Sequence, residues 1–221
     1  MLSKTGRVAV FLLLLAGGVF GLSAKERAHL QRDIAVLESE GRWEECLMAL
    51  QDYGRLAGAA AATEPAFYRH LGNCYFHLGD PARARANFEK SALLDPRQWQ
   101  SPFYLGAIAA REKDFGLAVA WLERALAAGS LTRSSDFLMV KFALTVARAE
   151  WFQRGDSPQT REEVLAALDE MEDYIVANAD ACDVKVRKRE RRGAVTGALY
   201  LAELYEIRRE LEPAAGDAGA K

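Results

Sequence analysis

Within one short stretch, His70, Cys74 and His77 are side-chain types that ligate transition metals, and separations of four and three residues would bring them together on a helix. The neighbouring pattern weakens that site. Tyr68, Leu71, Gly72 and Tyr75 form a stripe at helical spacing, and Cys74 turns toward the packed side while His77 turns away. Packing for the thiol and surface roles for the imidazoles follow, and no metal ligand is assigned.

Other chemistry is equally sparse. The chain has three histidines and no aligned acid–base set, and it carries no glycine-rich phosphate loop, HExxH or GxSxG signature. Neither catalytic residues nor a cofactor are expected. Arg154-Gly155-Asp156 spells a cell-adhesion tripeptide, but it stands where a turn between helices calls for Gly-Asp. Cys46, Cys74 and Cys182 are far apart, so they outline neither a disulfide framework nor a structural metal site. Cys46 and Cys74 read as small packing residues, and Cys182 sits in a polar connection.

The formal net charge of −2 gives no basic excess, so nucleic acid is not the expected partner. The dense basic run Lys185, Arg187, Lys188, Arg189, Arg191 and Arg192 reads as a solvated helix face, with anionic lipid or an acidic partner as the alternative.

The elements that must carry these residues are helices. Half of the 221 residues are hydrophobic, enough to bury a substantial core. The six prolines interrupt no apolar-periodic run. Gly79-Asp80-Pro81 gives the local logic: glycine ends one helix, Asp80 caps the next, and Pro81 fits its first turn.

From Pro65 to Gln98 the marks Tyr68, Leu71, Gly72, Tyr75, Ala84, Phe88 and Pro96 define a 34-residue unit. It resembles the tetratricopeptide repeat, a helix-turn-helix that buries its apolar faces by stacking on neighbours. One period later come Leu105, Gly106, Ala109, Ala118 and Leu122, with Pro102 in the first aromatic position and Ser130 in place of the closing proline. Ser101 before Pro102 reads as an N-cap, starting this helix a few residues late.

Upstream, a degenerate repeat spans about residues 27–60, with Asp33 and Ile34 replacing the Leu-Gly pair, Cys46 in the small position and Leu50 in the larger one. Downstream, residues 136–179 form a looser pair, in which Val164, Leu168, Met171 and Ile175 make a clean stripe. Residues 183–211 read as a capping helix, with Ala198, Leu201, Ala202 and Tyr205 as its packing residues, and 212–221 as a fraying tail.

The resemblance implies an all-α, right-handed α-solenoid over residues 27–211, with repeats at about 27–60, 65–98, 99–132 and 136–179. It also implies a concave groove lined by the first helix of each repeat. Opposite the packing stripe stand Arg69, Asn73, Phe76 and His77, then Phe103, Ala107, Ala110 and Arg111, with Gln100 near the entrance. Asn73 can bond backbone amides, Phe76 and Phe103 offer apolar anchors, and Arg69 and Arg111 favour acidic groups. A solvated helical face is the competing reading. A carboxylate clamp of the kind some members of this family carry is rejected, because Tyr104 replaces the next asparagine and the fourth pair supplies Phe142 and Val146.

At the N-terminus, Lys4 and Arg7 precede an uncharged stretch from Val8 to Ala24, the order of a secretory signal. Residues 1–24 are expected to be a signal cut after Gly21 or Ala24, or else a single uncleaved anchor. Either places the chain after Lys25 across the membrane, in the periplasm of a bacterium or a secretory lumen. The expected function is a non-catalytic adaptor gripping a protein or peptide in the cell envelope. The alternative is a periplasmic component that binds a small ligand or serves a transporter.

Overall fold

The computed structural model describes residues 23–131, 133–178 and 197–212, all helix and connection with no strand among them. Residues 1–22 of the expected export signal, Cys182, the basic run at 185–192 and the tail from 213 lie outside the described residues. No described helix is long and apolar enough to cross a membrane. The chain divides into two units, Met1–Glu64 and Pro65–Lys221.

In the first unit, α1 (Ala24–Ser39) and α2 (Trp43–Ala57) pair and are followed by a short 3₁₀ helix, Gly58–Thr63. Ser23 and Glu26 close a capping box at the start of α1. Ile34, Leu37, Cys46, Leu50 and Tyr53 fill the interior. Ile34, standing where the repeat uses glycine, holds the two helices less intimately together than the next two pairs. The Tyr53 phenol donates to Glu64 across 2.6 Å, and burial followed by that bond pushes its pKa up to about 12.

In the second unit, α3 (Pro65–His77) pairs with α4 (Pro81–Leu94), and α5 (Gln100–Arg111) with α6 (Phe115–Leu126). The leucine-glycine marks do identical work one period apart. A Cβ on Gly72 would stand 2.6 Å from the Phe88 ring, and one on Gly106 would stand 2.7 Å from Leu122 Cγ. Small Ala84 and Ala118, fully buried, complete the close approach. At the turns, Asp80 accepts from Arg83 N at 2.9 Å and Asp114 from Leu117 N at 3.1 Å. Gly79 has φ +80°, but its counterpart Lys113 must hold φ +63° with a side chain attached.

Two departures from the repeat find their reasons in this unit. Ser130, in the place of the closing proline, donates to the Arg97 carbonyl at 2.8 Å and accepts from Trp99 N at 3.2 Å, fastening the two ends of the unit together. Ser101 is not the cap it was expected to be. Helix α5 begins at Gln100 with Trp99 before it, and Ser101 is fully buried inside the first turn. Pro102 is tolerated there because first-turn amides have no partner within the helix.

The stack continues with α7 (Ser134–Gln153), α8 (Arg161–Ala177) and α9 (Gly197–Leu211). A Thr160–Glu163 capping box starts α8, and Val164, Leu168, Met171 and Ile175 are all buried, as their spacing predicts. Helix α9 packs on α7 and α8, but only part of the expected stripe takes part, with half-buried Leu201 against the core. Leu204, Ile207 and Leu211 face the core, while Ala202 and Tyr205 are exposed and the Tyr205 phenol donates to Glu172 at 2.7 Å. Branched aliphatic side chains remove more apolar area from water than alanines, and that sets the rotation of the helix.

Candidate partner-binding face

Helices α3 and α5 lie side by side, joined by aromatic contacts. The Phe76 ring meets Tyr104 edge-on at 5.2 Å, and Tyr104 in turn stacks on Phe88 at 4.9 Å with the rings nearly parallel. Phe103 continues the series, 5.5 Å from Tyr104 and 6.0 Å from Trp99. At the other end, the Arg111 guanidinium lies over the Phe76 ring at 4.5 Å. The result is one continuous array, with an exposed cation at its edge and half-buried rings behind it.

Of the residues picked out by sequence, Phe76, Phe103 and Arg111 belong to this array. Exposed His77 contacts the Phe76 ring edge-on at 5.4 Å. Half-buried Ala107 and Gln100 sit on α5, Ala107 one turn beyond Phe103 and Gln100 at the first position of the helix. Arg69, half-buried, holds a nitrogen 3.2 Å from His70 Nε2, about 10 Å along α3 from Phe76. Asn73 is only 9% exposed, so its amide is poorly placed to meet a partner's backbone.

Both expected anchors also serve the stack. Phe76 packs against the cluster of Ala84, Phe88, Leu105 and Ile108, and Phe103 against clusters that include Leu144 and Val140 of α7. Sequence reasoning passed over Tyr104, the ring that links them, treating it only as a missing asparagine. The available signal was aromatic density: Trp99, Phe103 and Tyr104 fall four and one residues apart on one side of a helix.

Cys74 is fully buried while His77 is exposed, so these two side chains point apart. Among the described residues no group of three His, Cys, Asp or Glu side chains is arranged to hold a metal.

Residues 65–98 match the family described as Tetratricopeptide repeat. No curated protein matches the chain. Among solved structures, the chain is similar to MamA 41-end from Desulfovibrio magneticus RS-1, with 21% identity and TM-score 0.53 over 83% of this chain and 95% of that one. It is similar to MamA MSR-1 C2 at 18% identity and TM-score 0.51, over 84% and 98% of the two chains. It is also similar to YrrB, a TPR protein with an unusual peptide-binding site, at 19% identity and TM-score 0.50, over 80% and 84%. Residues 65–98 therefore belong to the tetratricopeptide-repeat family, and the helical stack around them has the fold of these solved structures.

Proposed function

We propose that the face formed by α3 and α5 holds an extended segment of a protein partner, and that the chain is a non-catalytic adaptor of the cell envelope. The observation that carries this reading is the continuous aromatic array with Arg111 at its edge. Half-buried rings give apolar contact at low entropic cost, and a guanidinium already seated on a ring is pre-organised for an acidic group. A peptide-binding site in YrrB, which shares the fold, supports it. Placement on the exported side of a membrane rests on Lys4 and Arg7 ahead of the uncharged stretch to Ala24.

The test is affinity capture from the native host with the full chain and its Arg111→Glu variant, compared with Arg97→Glu on the connection after α4. Arg111→Glu lowers recovery of the partner while Arg97→Glu does not. Equal recovery by all three removes the α3–α5 face from the interaction. Protease accessibility in cells with an opened outer barrier tests the location: cleavage only after the cytoplasmic membrane is breached would overturn export.

A further inference from the structure

A cleft of about 420 Å³ opens between α6 and α8, with α7 as its floor. Its apolar lining comes from Leu126, Ala127, Phe137, Leu144 and Ala167, and its polar groups are arranged unequally by depth. The cations lie low: Lys141 is 16% exposed and Arg148 28%. Their carboxylate partners stand at the rim, Glu170 on α8 at 72% and Glu123 on α6 at 52%, over distances of 2.6 and 2.7 Å. One donor on the floor is unmet. Thr145 spends its hydroxyl proton on the Lys141 carbonyl, and the Arg148 Nε–H, buried, meets no acceptor among the described residues.

A buried guanidinium donor without an acceptor is costly, whereas an exposed carboxylate holds its cation only weakly. A ligand that brings its own carboxylate down to the floor therefore gains at Arg148 and displaces little. We propose that this cleft binds a small aliphatic monocarboxylate, its carboxylate accepting from the Arg148 Nε–H and its hydrocarbon body lying on Leu126, Leu144 and Ala167. Lys141, about 10 Å along α7, adds an attractive field without a direct bond. The cleft has room for a molecule of this size. The site lies on α6, α7 and α8, so its fate is independent of the α3–α5 face, and Arg111→Glu leaves it intact.

The probe is sodium hexanoate, titrated into the ¹⁵N-labelled full chain while the arginine Nε–H resonances are followed. Hexanoate shifts the Arg148 resonance and saturates it with a midpoint on the order of 1 mM, whereas hexanamide and hexylammonium leave it in place. Arg148→Gln, with helicity unchanged, weakens hexanoate binding by about tenfold or more, as loss of one charge-assisted bond implies. Should that variant fail to fold, Lys141→Met is the second test, predicted to weaken binding about threefold through the lost field. An Arg148 resonance that stays fixed, moves equally with hexanamide, or a hexanoate affinity that neither variant alters, overturns the proposal.

Discussion

The ring of Phe88 fills the space a side chain at position 72 would need: a Cβ on Gly72 would stand 2.6 Å from both Cδ1 and Cε1 of that ring. Two effects oppose each other at this position. Alanine is favoured over glycine in a helix by roughly 0.5–1 kcal/mol, but overpacking a tight core costs about 1–3 kcal/mol. The ring is fully buried and has nowhere to retreat, so the second effect wins. Gly72→Ala is expected to destabilise the chain by about 1–2 kcal/mol in urea unfolding. Gly129→Ala, with no atom within 4 Å of the added Cβ, should stay within about 0.5 kcal/mol of the parent.

Lys113 is the reverse case, a side chain where its repeat-mate Gly79 is glycine. A left-handed backbone costs a non-glycine residue about 1–2 kcal/mol, and glycine's extra freedom in the unfolded chain returns part of that. Lys113→Gly therefore stabilises by roughly 0.5–1 kcal/mol, read as a higher thermal midpoint. The bond from Arg154 to the Lys113 carbonyl uses the backbone and survives the change.

Asp80 gives a pH signature. The Arg83 backbone N–H, and then its guanidinium, hold the Asp80 carboxyl below the usual carboxylate range. A lowered folded-state pKa means a contribution fully present above the unfolded value near 4 and lost as pH falls through the folded value. The stability gap between the parent and Asp80→Ala should thus narrow below about pH 4. Asp80→Asn keeps a cap but should remove this part of the pH dependence. A gap that is constant from pH 7 to pH 3 would show that the cap is not ionic.

Helix α9 is held by apolar contact more than by charge. Leu204 is 2% exposed, whereas the Asp169 partner of Arg208 is 61% exposed. Leu204→Ala should cost about 2–4 kcal/mol, and Arg208→Ala no more than about 1 kcal/mol. Hydrogen exchange in α9 should accelerate strongly in the first variant and little in the second.

The repeat was legible because its marks are steric necessities: Gly72 and Gly106 have no room for a Cβ, and Ala84 and Ala118 sit at the closest approach. Ser101 misled because a serine before proline has the chemistry of a cap whether or not the helix starts there. Tyr205 misled because an aromatic at the repeat's spacing resembles a packing residue, although Leu204, Ile207 and Leu211 offered the larger apolar stripe. The binding face was harder still. Phe76 and Phe103 are apolar on the expected side of their helices, and periodicity does not separate a ring waiting for a partner from one touching the next helix. Both rings pack against neighbouring helices, which is why Phe76→Ala or Phe103→Ala would confuse lost binding with lost packing, and Arg111 is the cleaner probe of the proposed face.

Whether the α3–α5 face meets the partner can be read with a photo-crosslinking amino acid. It would be placed at half-buried Ala107 on α5 in one full-length chain and at exposed Ala86 on α4 in another, and both illuminated in the native host. Position 107 should yield a discrete crosslinked protein, absent from position 86 and diminished when Arg111→Glu is added. A crosslink from position 86 with none from 107 would contradict it.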